Sequence, residues 1–340
     1  MALNVSALAD ATPEVALPSE ATVISVQNLV HRYENRTALN GVSFDVLPAE
    51  LFGLLGPNGS GKTTLFRILS TLMLPTSGRA TIMGFDAAQE PARLRRQIGV
   101  VFQAQSVDLK LTAYENLWHQ GHLYGLCGSA LKERIHEILS RVGLADRAKE
   151  LVETFSGGMQ RRIELAKGLL HHPGVLLLDE PTTGLDPGAR RDLWQYLQTL
   201  RDDEHVSVLV TTHLMEEAER CDRLAIMSEG NLVALGTPME LKSEIGGDVV
   251  LLEAAHDAGL LAERIRDHFH AETTVLENQV RMEREDAHRF VTEVVEAFPG
   301  EIEAISVSKP ALEDVFIRRT GHKFWTEQNN AQTSAVDHRR

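Results

Sequence analysis

Apolar residues fall along this chain in two rhythms, and the changes between them mark out its parts. Over residues 24–32, and again at Val42, Phe44 and Val46, apolar and polar positions alternate around a turn near Asn35, the pattern of half-buried strands. Leu51-Phe52-Gly53-Leu54-Leu55 is apolar throughout and predicts a strand buried on both faces, followed by a helix through Leu65-Phe66-Arg67-Ile68-Leu69. A further strand pair is expected at 79–83 and 98–102. From about Thr112 to His172 the spacing becomes helical. Thr112-Ala113-Tyr114-Glu115 has the form of a capping box, and Ser129 opens a second helix with Leu131, Ile135, Ile138, Leu139 and Val142 on one face, stopped by Gly143. Strand–helix alternation then resumes at 175–178, 186–201, 206–211, 223–227 and 231–235. The whole predicts a parallel α/β core carrying a helical insertion.

Past Gly246-Gly247 the rhythm changes once more. A strand at 248–253, a helix at 258–269, strands at 273–277 and 279–283, a helix at 287–298 and a strand at 302–308 spell βαββαβ, a ferredoxin-like order. A short helix at 311–319 precedes a polar tail. The expected division is therefore a disordered lead-in (1–22), a nucleotide-binding unit (23–245, its helical part about 104–172), an accessory α+β unit (248–320) and a disordered tail (321–340).

Composition narrows the class. With 340 residues, 43% hydrophobic and 24% charged, the chain has ample material for a globular core. No run of 18 apolar residues occurs, so no membrane-spanning helix is expected. The first 22 residues lack a basic start and an apolar stretch of 7–15, and are not read as a signal peptide. Cys127 and Cys221 stand far apart, which suits a reducing compartment. The formal charge of −14 speaks against a nucleic-acid partner. Most of the excess lies between Asp248 and Asp314, where 16 acidic and 6 basic residues leave −10, read as a solvated acidic surface.

Chemistry is concentrated in three places. Gly56-Pro57-Asn58-Gly59-Ser60-Gly61-Lys62-Thr63-Thr64 fits G-x-x-x-x-G-K-[ST], between a buried strand and a helix. Its glycines free backbone N–H groups to wrap phosphate oxygens, the helix start attracts anions, Lys62 reaches the β- and γ-phosphates, and Thr63 ligates Mg²⁺. Val175-Leu176-Leu177-Leu178-Asp179-Glu180 is a buried strand ending in two carboxylates, at the edge where open α/β sheets bind ligands. Asp179 suits Mg²⁺; Glu180 could polarise a water. Ser156-Gly157-Gly158-Met159 opens a helix and forms a second anion-binding terminus.

That order of motifs resembles the ATPase subunits of ATP-binding cassette (ABC) transporters, over about residues 24–241. The resemblance implies a P-loop core with an antiparallel β subdomain and the helical insertion. It also assigns further residues. Tyr33 matches the aromatic that stacks on adenine, Gln103 the glutamine at the junction with the insertion, and Asp186 the loop after the strand-end carboxylates. His213 matches the histidine that contacts the γ-phosphate. Two departures stand out. Met159 replaces the usual glutamine of L-S-G-G-Q and cannot offer its amide, and Gly184-Leu185-Asp186 replaces S-A-L-D.

The same resemblance implies a homodimer sandwiching ATP and Mg²⁺, with Ser156–Met159 facing the partner's phosphate loop. Such a dimer would sit on the cytoplasmic face of the membrane beneath separate permease subunits. Pro310-Ala311-Leu312-Glu313-Asp314-Val315-Phe316 looks like bacterial drug-resistance exporters of the daunorubicin and nodulation-factor kind. That implies export of a small molecule, lipid or glycan through the permease. The alternative is a soluble regulatory ABC ATPase. Ribosome-acting forms usually carry two cassettes in one chain, and DNA-repair forms a long coiled coil; neither feature is seen here.

Overall fold

The computed structural model describes residues 22–324; the lead-in expected over 1–22 and the tail expected over 321–340 lie outside it, apart from Thr22 and residues 321–324. Strand β1 (Ile24–Tyr33) turns at Glu34-Asn35 into β2 (Arg36–Val46). β3 (Leu51–Leu55) leads through the glycine-rich turn into α1 (Lys62–Leu69). β4 (Ser77–Ile82), β5 (Phe85–Asp86), α2 (Pro91–Leu94) and β6 (Ile98–Val101) follow. The helical insertion consists of α3 (Ala113–Leu123), α4 (Gly128–Arg141), two 3₁₀ turns and α5 (Gly157–Leu169). At its entrance the Thr112 hydroxyl accepts from Glu115 N–H while the Glu115 carboxylate accepts from Thr112 N–H at 2.8 Å, so two orphan donors of α3 are satisfied.

The core resumes with β7 (Val175–Asp179), α6 (Pro187–Glu204), β8 (Ser207–Thr212), α7 (Met215–Ala218), β9 (Arg223–Ser228), β10 (Asn231–Gly236) and α8 (Pro238–Ser243). Two sheets result. β2-β1-β4-β5 is antiparallel; β10-β9-β3-β8-β7-β6 is parallel except at β10. The strands expected as a pair at 79–83 and 98–102 thus enter different sheets, and residues of both share a buried cluster with α1. Every residue of β3, β7 and β8 is buried, as expected for strands covered on both faces. One core lies between the two sheets and around α1, with Phe44 and Phe52 stacked at 5.2 Å. Another joins the insertion to α6 through Trp194.

Beyond Gly247 come β11 (Asp248–Ala254), α9 (Ala258–Phe269), β12 (Thr274–Leu276), β13 (Gln279–Arg284), α10 (Ala287–Ala297), β14 (Ile302–Ser308) and α11 (Leu312–Thr320). The sheet order β12-β13-β11-β14, all antiparallel, is the ferredoxin-like one. α9 and α10 cover one face of it. α11 runs back onto the larger sheet: Leu312, Val315 and Phe316 share a buried cluster with Leu55, Leu224, Ile226 and Leu241. The hinge-like Gly246-Gly247 therefore joins parts that also share apolar contact.

Candidate nucleotide site

β3 ends against α1 at a turn only glycine tolerates. Gly59 and Gly61 have φ of 87° and 106°, and a Cβ on Gly61 would lie 2.6 Å from the Ala38 carbonyl. The turn leaves the N–H groups at the start of α1 directed outward from the strand end. Lys62 folds back over it, its Nζ donating to the carbonyls of Gly56 at 2.6 Å and Pro57 at 2.9 Å. The Ser60 hydroxyl is buried without a hydrogen-bond partner among the described residues. A loop with a buried ammonium and an orphaned hydroxyl fits a phosphate ligand.

A cavity of about 150 Å³ opens over this loop. Tyr33, Asn58, Gly59, Gly61, Lys62, Thr63, Thr64 and Glu180 all line it. Tyr33, at the end of β1, is 43% exposed, and its hydroxyl lies 3.4 Å from Thr64 Oγ1. Arg36, which belongs to no sequence motif and is missed on that account, closes the tip of the loop by donating to the Gly59 carbonyl at 2.6 Å.

The strand-end carboxylates meet different surroundings. Asp179 is 6% exposed and accepts from Thr211 Oγ1 at 2.6 Å. Burial pushes its carboxyl above the ordinary range, and the Thr211 hydrogen bond only partly opposes this. Glu180 turns out of the strand in the left-handed region, φ 43°, held by N–H bonds to Thr211 Oγ1 and O at 2.9 and 3.2 Å. Such a backbone costs on the order of 1–3 kcal/mol and persists where surrounding bonds enforce it. Burial would raise the Glu180 carboxyl too. His213 Nδ1, 3.1 Å from Glu180 Oε1, outweighs that with help from the Lys62 charge and the Thr183 hydroxyl, and holds it below the ordinary range. Gln103 Nε2 donates to Glu180 Oε2 at 3.2 Å. Lys62, Gln103, Asp179, Glu180 and His213 are thus gathered at one sheet edge.

Ser156–Met159 and Asp186 do not line this cavity. Ser156 caps α5, its hydroxyl accepting from Met159 N–H at 3.4 Å, and Ser156 and Gly157 are exposed. Nothing lies within 4 Å of where a Gly157 Cβ would stand, whereas a Cβ on Gly158 would meet Ala189 Cβ at 2.8 Å. Met159 turns inward, its sulfur 3.2 Å from Arg147 Nη1, and packs on the insertion's core. Asp186 caps α6 by accepting from Ala189 N–H at 2.9 Å. Two buried acids also escape the motifs. Glu217 accepts from Thr182 and Thr212, joining the loop after β7 to the end of β8; Glu164 belongs with Arg161 on α5. Their burial against polar partners leaves no periodic trace in a sequence.

The ABC transporter family profile matches residues 39–183. The linearmycin resistance ATP-binding protein of Bacillus subtilis is 38% identical over 308 residues, covering 88% of this chain and 98% of that protein. This chain belongs to the ABC transporter ATP-binding family. It is 37% identical to the daunorubicin/doxorubicin resistance ATP-binding protein of Streptomyces peucetius over 309 residues, with 88% and 92% of the two chains covered. Among solved structures, a dimeric ATP-binding cassette in a post-hydrolysis state with ADP and phosphate aligns with a TM-score of 0.57 at 28% identity, covering 63% of this chain and 98% of the other. An ATP-binding subunit of an ABC transporter aligns at 0.60 and 30% identity, covering 66% and 94%. Family and fold together make this chain a nucleotide-binding ABC ATPase.

Proposed function

We propose that this ATPase powers a drug-resistance-type exporter, acting as a homodimer with two ATP molecules sandwiched between its subunits on the cytoplasmic face of the membrane. One observation carries the reading: Glu180, poised by His213 and Gln103, faces the Lys62 cavity, while the Ser156–Gly157 helix start lies exposed elsewhere. One subunit holds half of the machinery at each of two places, so two subunits complete both. The names of the relatives support drug export. Among the described residues no helix is long and apolar enough to cross a membrane, so the substrate path belongs to separate permease subunits. Exported small molecules, lipids or glycans would pass through those subunits.

Tyr33 would stack on adenine, and the loop Gly56–Thr64 would hold the phosphates, with Lys62 neutralising the β and γ groups. Asp179, Thr63 and Gln103 fit Mg²⁺. Burial raises the Asp179 carboxyl more than the Thr211 hydrogen bond lowers it, and Thr63 is exposed at the start of α1, lining the same cavity as Glu180. Among the described residues no cluster of three His, Cys, Asp or Glu side chains could hold a metal; an ion held by one carboxylate would take oxygens of the substrate phosphates as further ligands. When bound, Mg²⁺ offsets phosphate charge. Glu180, kept ionised by His213, accepts a proton as water oxygen bonds to the γ-phosphorus and the bond to the bridging oxygen breaks, giving ADP and phosphate. Gln103 orients Glu180, and His213 stands beside the γ-phosphate. Ser156 and the N–H groups of Gly157 and Gly158 contact the partner's ATP; Met159 packs and Asp186 caps.

The test uses size-exclusion chromatography with Glu180→Gln, which is expected to accumulate an ATP-bound dimer. Adding Ser156→Ala should leave ATP binding by monomers intact yet weaken that dimer. Unchanged dimerisation would count against the sandwich. Coupling to export is checked by co-purification with an integral membrane partner; recovery only as a free dimer would favour a regulatory ATPase.

A further inference from the structure

Five residues beyond Ser156, the same helix turns two charged side chains inward that no hydrolytic step employs. Arg161 is 7% exposed and Glu164 3%. The guanidinium donates through Nη1 to the Phe102 carbonyl at 2.7 Å and to Glu164 Oε2 at 2.5 Å. Its Nε donates to the Pro181 carbonyl at 2.8 Å, and Nη2 lies 3.4 Å from the Asp179 carbonyl. The other Glu164 oxygen accepts from Ser106 N–H at 2.6 Å. The carbonyls Arg161 holds belong to the residue before Gln103 and to the two residues flanking Glu180. A rigid five-donor fork can hold that many acceptors in one plane, and a lysine ammonium cannot. Glu164 neutralises the buried guanidinium and pins the far side of the segment bearing Gln103, whose residues 103–106 are otherwise exposed.

We propose that Arg161 and Glu164 are positioning residues that couple the two composite sites, a reading that rests on the sandwich arrangement of the proposed dimer. Through them α5, which presents Ser156 to the partner's ATP, is fastened to the backbone that aims this chain's own Glu180 and Gln103. Engagement of Ser156 at one site then moves or steadies the hydrolytic groups of the other, and the two sites fire together. The linkage acts on turnover and cooperativity, because none of the atoms Arg161 holds lies in the phosphate loop.

The experiment uses the full chain with Mg·ATP and a fluorescent ATP analogue as binding probe. Wild type is expected to hydrolyse ATP with a Hill coefficient approaching about 2, the number of coupled sites. Arg161→Lys and, separately, Glu164→Gln should bind the analogue within about twofold of wild type, lose roughly tenfold or more in kcat, and fall to a Hill coefficient near about 1. Either variant with kcat and cooperativity unchanged overturns the coupling, as does a wild-type Hill coefficient near 1. Should both variants fail to fold, hydrogen exchange on wild type decides: the Ser106 N–H, which Glu164 accepts, must exchange as slowly as α5, and exchange at the rate of an open loop refutes the clamp. Glu180→Gln in parallel separates the two readings, since normal turnover there would strike the site assignment itself.

Discussion

At the rim of the six-stranded sheet Asp179 is buried against a neutral hydroxyl, whereas in the C-terminal sheet the equally buried Arg281 bonds two carboxylates. Its Nη1 lies 3.0 Å from Glu283 and its Nε 3.1 Å from Asp314, and Glu283 in turn meets Arg318 at 3.0 Å. The difference comes from strand direction. Parallel strands deliver all their C-terminal ends to one edge, so Leu55, Val101, Asp179 and Thr212 bring their loops together and leave groups poised for a ligand. Antiparallel strands send alternate ends to opposite edges, so charges there pair with each other and hold the module together. At that edge Asp179 is buried without a cation of its own, whereas in the C-terminal sheet Arg281 is buried with its carboxylate partners.

The largest expected effect tests the first half of that contrast. Glu180→Gln should lower turnover about 10²–10⁴-fold, the usual worth of a general base, with ATP affinity retained. Phosphate release at saturating ATP measures it, and near-normal turnover would shift the role to His213. The seam between the regions comes next. Phe316 is fully buried and packs edge-to-face on Phe324 at 4.9 Å. Phe316→Ala should cost about 3–5 kcal/mol and loosen both sides of the seam. Denaturant unfolding gives the loss; hydrogen exchange should show it at β10 and α8 as well as β11. Protection lost on only one side would mean the cluster does not join them.

A smaller effect is expected inside the module. Arg281→Met leaves Asp314 without its cation and Glu283 with Arg318 alone, and since both carboxylates keep some solvent contact the cost should be about 2–4 kcal/mol. Exchange of peptides over 248–284 should quicken while ATP affinity stays put; lost ATP binding would erase the contrast between the two sheets. The smallest effect has the opposite sign. The folded state raises the Asp179 carboxyl above its unfolded value, so its ionisation costs stability that is lost as pH rises through the folded value. Asp179→Asn should therefore raise the nucleotide-free melting temperature near pH 7, with the gain fading toward pH 4, while activity falls. A variant no more stable at pH 7 than wild type would show that the carboxylate is already compensated.

Much of the architecture was legible because it rests on local rules. The buried runs of β3 and β7, the glycine-rich turn at Gly56–Thr64 and the capping box at Thr112 depend on near neighbours, and each appears where the spacing of residues places it. The C-terminal βαββαβ order was readable for the same reason. Other features were not local. Strands β4 and β6 read alike yet enter different sheets. Ser129 looks a better helix start than Gly128, but α4 begins at Gly128, with an extended Cys127 before it and no side-chain cap. Arg36, Arg161, Glu164 and Glu217 each reach a partner between 23 and 59 residues away, a contact that nothing near them in the chain announces.

By itself, then, the sequence determined which segments are strands and helices, where the glycine-rich turn lies, and which two carboxylates end a buried strand. Those depend on side-chain size, backbone freedom and period, all written within a few residues. Only the tertiary structure decided that His213 and Gln103 both reach Glu180, that Met159 turns inward, and that α11 returns to the larger sheet. Those depend on which buried surfaces meet, and burial is a property of the assembled chain.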